Sequence, residues 1–204
     1  MAGGGTPGRE VNDSLDGAPI LLFAKPNDWE KWLAKNHLKS SGLWLRLAKK
    51  GSGIQSVTYA EALEAALCYG WIDAQKRPES QAAWLQKFMP RKPKSIWSKL
   101  NCQKAQTLID TGRMQPSGLA EMERAKQDGR WDGAYDSPRG ATVPDDFAAA
   151  LAASGRAKAF FDALDRANRY AVLFRIQTAK KPETRARRIQ QFVEMLDRRE
   201  KLHP

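Results

Sequence analysis

The chain has 204 residues, 42% of them hydrophobic and 28% charged, with a formal net charge of +11. That size and apolar content suit one domain of ordinary size or slightly more, and no run approaches the roughly 20 apolar residues that a membrane-crossing helix needs. The excess of lysine and arginine directs the surface toward anions: nucleic acid, phosphorylated metabolites, or acidic membrane and protein surfaces.

In chain order, residues 1–18 are rich in glycine and acids and too poor in apolar groups to offset ordering entropy. A disordered tail is expected there. It has no basic start followed by an apolar stretch, so no secretory signal is expected and a cytoplasmic location follows. Cys68 and Cys102 are then expected reduced rather than paired. Ile20–Phe23 predicts a short strand. Asn27 or Asp28 is placed to cap a helix carrying Trp29, Trp32 and Leu33 at helical spacing, which Gly42 closes off. Leu43–Ala48 alternates, with Leu43, Leu45 and Leu47 on a core face and Trp44 and Arg46 on the other.

Thr58-Tyr59-Ala60-Glu61 has the pattern of a capping box, predicting a helix that runs to about Tyr69 and stops at Gly70. Trp71–Lys76 and Trp84–Met89 predict two strands joined around Pro78-Glu79-Ser80. Pro90 and Pro93 flank an extended basic loop, and Ser95 is placed to cap a helix reaching Gly112. Pro116–Gln127 predicts another helix, stopped by Gly129. From Val143 onward the pattern is helical only. Ile189, Phe192, Val193 and Leu196 fall at i, i+3, i+4, i+7 in the last helix. The fold class expected is α+β: a small mixed or antiparallel sheet with helices over 19–141, then an all-helical unit over 142–204.

The densest chemistry lies between Trp71 and Asn101. A helix opening at Ser95 would present free amides and the positive end of a dipole, which suits an anion. Arg91 and Lys94 add charge just upstream, Ser95 and Ser98 add hydroxyls, and Trp97 adds a flat face. Asp73, Arg91, Lys94, Ser95, Trp97, Ser98 and Asn101 are therefore the candidate ligand-binding residues. The alternative for the same residues is structural: Ser95 only caps, Trp97 is core, the lysines are solvated, and Asp73 pairs with a nearby cation.

No catalytic residue is assigned. The histidines are His37 and His203, neither in a nucleophile pattern, and with two cysteines they have no zinc spacing, so no metal or cofactor is expected. Lys49-Lys50-Gly51-Ser52-Gly53 lacks the spacing of a phosphate loop. In the C-terminal block, Arg185 and Arg188 share a helix face near Lys180-Lys181. That face suits a phosphate backbone or an acidic partner, and internal pairing with Glu183, Glu194 or Asp165 would serve equally.

Several stretches together resemble the YdeI/OmpD-associated, or bacteriocin-protection, family. They are SVTYAEALEAALCYGWID at 56–73, FMPRKPKSIWSKLN at 88–101, GRMQPSGL at 112–119, VPDDF at 143–147 and AKKPETRARRI at 179–189. The chain departs at Ala74, where the family pattern has glycine, and at Met89, where threonine is usual. The resemblance implies a role in envelope stress or tolerance of bacteriocins, and it brings no catalytic residue. The expected function is thus a non-enzymatic binding or stress-protection protein with an anion-accepting groove, its partner an anionic small molecule or an acidic protein surface. The alternatives are an enzyme on a phosphorylated or acyl small molecule with Asp73 as general base, and a weak nonspecific nucleic-acid binder.

Overall fold

The computed structural model describes residues 9–204, with side chains from Asp13 onward. Five strands, β1 (Arg9–Leu15), β2 (Ala18–Leu22), β3 (Leu43–Ala48), β4 (Trp71–Pro78) and β5 (Ala83–Pro90), form one sheet in the order β1-β2-β3-β5-β4. Only the β2–β3 pair is parallel. A parallel pair requires a crossover, and α1 (Pro26–Asn36) supplies it. The other helices are α2 (Tyr59–Cys68), α3 (Lys99–Asp110), α4 (Pro116–Gln127), α5 (Asp145–Ala152), α6 (Gly155–Asp162), α7 (Arg166–Gln177) and α8 (Pro182–Asp197). The α+β class read from the sequence is the fold observed.

Strand β1 corrects the expectation of a tail over 1–18. Residues 9–15 pair with β2 through a two-residue turn at Asp16 and Gly17, both at positive φ (51° and 72°). This is the Asp-Gly hairpin geometry that matches strand twist. The strand lies at the sheet edge, and Leu15 packs against the cluster of Ala18, Ile20, Trp44 and Leu85. Residues 1–8 of the expected tail lie outside the described residues.

The capping box closes as read. The Glu61 amide donates to Thr58 Oγ1 at 3.3 Å, and Glu61 Oε2 accepts the Thr58 amide at 2.8 Å. Leu43, Leu45 and Leu47 share their sheet face with Phe88, Gln86 and Trp84 across the β3–β5 register. On this side Phe23, Trp29, Trp32, Trp71 and Phe88 form a continuous aromatic cluster with ring separations of 5.4–6.4 Å. The buried indoles keep their polar groups satisfied: Trp29 Nε1 donates to the Ala62 carbonyl and Trp71 Nε1 to that of His37, each at 3.1 Å. Trp44, expected on the outer face, is also fully buried there, in a small cluster with Ala18, Ile20 and Leu85.

Strand β4 carries a bulge. Asp73 faces Phe88 and Lys76 faces Gln86, so two residues, Ala74 and Gln75, oppose the single Lys87. Buried Gln86 holds it open from beneath: its Nε2 donates to the carbonyls of Gln75 (3.1 Å) and Ala74 (3.3 Å). Helix α4 closes on the end of α2 through Gly118, where a Cβ would meet the Cys68 carbonyl oxygen at 2.3 Å.

The chain divides into two compact units. The first comprises the residues up to Ser95 with Asn101–Trp131, and the second Ile96–Leu100 with Asp132–Pro204. The second unit centres on Phe147, Phe161, Val172, Ile176, Phe192 and Leu196, contributed by α5 to α8. Its short links are capped by side chains: Ser154 Oγ accepts the Ala157 amide (3.2 Å) and Asp165 Oδ1 the Asn168 amide (2.8 Å).

Candidate functional site

The seven residues singled out in the sequence do not share one environment. Arg91, Trp97, Ser98 and Asn101 are buried, each at most 8% exposed, whereas Lys94 is exposed and Asp73 and Ser95 are half-buried. Asp73, Arg91, Lys94, Ser95 and Asn101 fall in the first unit, Trp97 and Ser98 in the second.

The helix expected at Ser95 begins at Lys99 instead. The reason is local. The Ser95 hydroxyl turns back and accepts the Lys92 amide at 2.9 Å, while the Ser95 amide donates to the Lys92 carbonyl at 2.8 Å. With Ser95 folded into the preceding turn, the helix opens four residues later. Arg130, 6% exposed, then fastens this turn: its Nη1 donates to the Ser95 carbonyl at 2.7 Å and its Nε to Asp128 at 2.7 Å. Further on, Ser98 bridges to Tyr135, and the first amide of α3, from Lys99, donates to the Tyr135 carbonyl at 2.8 Å. The opening amide of α3 is thus satisfied by the protein itself.

Asp73 pairs with a tyrosine hydroxyl. Its Oδ2 accepts the Tyr59 hydroxyl at 2.7 Å, on the sheet face where the Tyr59 and Trp84 rings lie 6.1 Å apart and Lys76 Nζ sits 4.4 Å above the Trp84 ring.

The C-terminal arginines pair internally, but not with the acids named from the sequence. Arg185 forks onto Asp146, Nε–Oδ2 at 2.6 Å and Nη2–Oδ1 at 2.8 Å, and Arg188 donates to the Arg175 carbonyl. The side-chain hydrogen bond from Arg185 holds the Asp146 carboxyl below the usual carboxylate range, against a smaller opposing effect of burial.

An open concavity lies instead along α7. A cleft of about 690 Å³ is lined by Pro138, Arg166, Ala167, Tyr170, Ala171, Phe174, Arg175 and His203, all within the second unit. Its walls are apolar apart from two arginines and a histidine, and no carboxylate lines it. Beside it, a smaller cleft of about 300 Å³ shares Pro138, Arg166 and Tyr170 and adds Arg169 and Asp162.

The walls are held rigidly. The Tyr170 hydroxyl donates to the Asp136 carbonyl at 3.0 Å, and burial, aided by Tyr135 and Asp136, pushes its pKa up to about 12, so it stays neutral. Phe174 packs edge-on against Tyr135 with ring centres 5.0 Å apart. Asp136 is fixed by Lys99 Nζ (2.7 Å) and Gln177 Nε2 (2.6 Å); burial raises its pKa, but those hydrogen bonds outweigh it and keep the group ionised. His203 is set in place by buried Asn168, whose side-chain oxygen accepts the amides of Leu202 and His203.

Arg175 lies back along its own helix, Nη1 donating to the Ala171 carbonyl at 3.0 Å. Arg166 is exposed and, among the described residues, has no carboxylate within 4 Å. Arg169 is different: it lies over the Phe161 ring and 3.7 Å from Asp162. The sequence reading missed this cleft. Its signal was a second apolar stripe on α7, Ala167, Tyr170, Ala171 and Phe174 at i, i+3, i+4, i+7, beside the core stripe of Val172, Leu173 and Ile176.

Among the described residues no cluster of three or more histidine, cysteine or acidic side chains is placed to hold a metal ion, and no helix is long and apolar enough to cross a membrane.

Two family models match the chain. Residues 21–121 match a domain of unknown function (DUF8412), and residues 140–199 match the family described as bacteriocin-protection, YdeI or OmpD-associated. The resembling stretches at 56–73, 88–101 and 112–119 therefore lie in the segment matched by the first model, and those at 143–147 and 179–189 in the segment matched by the second. Searches of curated proteins and of solved structures found no match. The helical segment that builds α5 to α8 is thus similar, over residues 140–199, to the family described as bacteriocin-protection, YdeI or OmpD-associated.

Proposed function

We propose that the protein is a non-enzymatic binding protein with a stress-protection role, and that it takes an anionic ligand in the α7 cleft of its helical unit. The observation that supports this reading is the lining of that cleft: apolar walls between Arg166 and Arg175, with no acidic side chain among them. Two cations without a facing carboxylate select for negative charge, and the apolar walls favour a ligand with a hydrophobic body. The volume of about 690 Å³ lies in the range of small-molecule sites.

Fluorescence titration with anilinonaphthalene sulfonate, an aryl anion of suitable size, tests the reading. Arg166→Glu reverses the uncompensated charge, and Ala167→Trp fills the cleft from an exposed position. Each is expected to weaken dye binding about tenfold or more, equal to 1.4 kcal/mol, with an unchanged circular dichroism spectrum. Dye affinity unaltered in both variants would refute the site.

A further inference from the structure

The two arginines of the cleft sit nine residues apart on α7. At 1.5 Å per residue they are about 13 Å apart along the helix axis, and nine steps of about 100° put them on opposite flanks. Between them runs the stripe of Ala167, Tyr170 and Phe174, none of which is fully buried. α7 thus has two apolar faces. Val172, Leu173 and Ile176 enter the core of the unit, and the second face lines the cleft.

A compact monoanion can meet only one of two cations so far apart. A chain segment with carboxylates near both ends and apolar side chains between them meets both at once. Helix-in-groove recognition uses this pattern, with anchors at i, i+3 or i+4, and i+7. The rigidity of the walls fits such a role. Tyr170 is pinned through its hydroxyl and Arg175 through Nη1, so neither must be ordered on binding. Asp162, the acid of the adjoining cleft, does not oppose an acidic ligand strongly, since Lys158 (2.6 Å) and Arg169 (3.7 Å) both compensate it.

We infer that the α7 cleft is a docking groove for an acidic amphipathic segment of a protein partner, its apolar side chains against Ala167, Tyr170 and Phe174 and its carboxylates paired with Arg166 and Arg175. This rests on the reading of the cleft as the ligand site and names the ligand class.

The test is fluorescence polarisation with the full chain and a labelled, end-blocked synthetic peptide of about 16 residues, long enough to hold helix once docked. It carries leucines at i, i+4 and i+7 flanked by glutamates. The comparison peptides are a scrambled isomer of the same composition and two versions with lysine in place of the glutamates at one end or the other. Saturable binding is expected for the patterned peptide, weakened about tenfold or more by scrambling or by Arg166→Glu. The version whose lysines face position 166 should recover binding to Arg166→Glu alone. Equal binding of the patterned and scrambled peptides, or no recovery in the charge swap, would overturn the inference. If no peptide binds while anilinonaphthalene sulfonate still does, the groove takes small anions and only this inference fails. Failure of both probes removes the proposed function as well.

Discussion

The side-chain oxygen of Asn168 accepts the backbone amide of His203 at 2.9 Å, across 35 positions of sequence. The same oxygen accepts the Leu202 amide at 3.1 Å, and the Nδ2 group donates to Asp165 and to the His203 carbonyl. One buried amide thus ties the 202–203 segment to α7 and makes His203 a wall of the cleft. Asn168→Ala would leave these groups without their partner, at a cost of about 1–3 kcal/mol. A lower melting temperature and faster hydrogen exchange of the Leu202 and His203 amides are expected. Unchanged melting would show that the clamp contributes nothing.

Gly118 makes a second prediction. A Cβ at this position would stand 2.3 Å from the Cys68 carbonyl oxygen and 2.5 Å from Met114 Sδ. The methionine can swing away, but the backbone of α2 cannot, so Gly118→Ala should cost about 1–3 kcal/mol through overpacking. Gly155, at the start of α6, has open space around the same position. Gly155→Ala should be neutral or stabilising by up to about 1 kcal/mol. Urea midpoints of the two variants moving in the same direction would contradict the close approach of α4 to α2.

The Asp146–Arg185 pair sets a pH dependence. The folded carboxyl titrates below its unfolded value of about 3.9. Between those two values the unfolded state holds more protons, so stability rises with pH. The contribution is fully present above the unfolded value and disappears as pH falls through the folded one. Asp146 is 47% exposed, so solvent screening keeps the pair below about 1 kcal/mol. Asp146→Asn should therefore lower the urea midpoint slightly at pH 7 and leave it unchanged near pH 2. An equal loss at both pH values would mean that the pair's charge is not the cause.

Much of the sheet and its helices was legible because the signals were local. Thr58 and Glu61 satisfy each other within one turn, and Leu43, Leu45 and Leu47 alternate with no help from elsewhere. Ser95 shows where local reading divides: one hydroxyl can close the turn behind it or cap the helix ahead. The choice fell to Arg130, 35 positions on, and to Tyr135, which takes the Lys99 amide. Strand β1 escaped because REVNDSL has no apolar periodicity, although Asp16-Gly17 marked its hairpin. The cleft escaped for another reason. α7 carries two apolar stripes, and periodicity alone does not tell which one packs inward; the wall at His203 depends on a tertiary contact to Asn168.

Strand β4 ends the sheet at one side, and there its hydrogen-bonding groups are open to other chains. The widened step at Ala74 and Gln75, propped by Gln86, interrupts the regular spacing that an incoming strand would need to copy. Lys76 and Arg77 put like charges on the same margin, and Pro78 removes a donor. A margin of this kind resists edge-to-edge pairing with a second sheet. Replacing Gln86 with leucine would remove the donor that props the step and leave the edge guarded by Lys76, Arg77 and Pro78 alone.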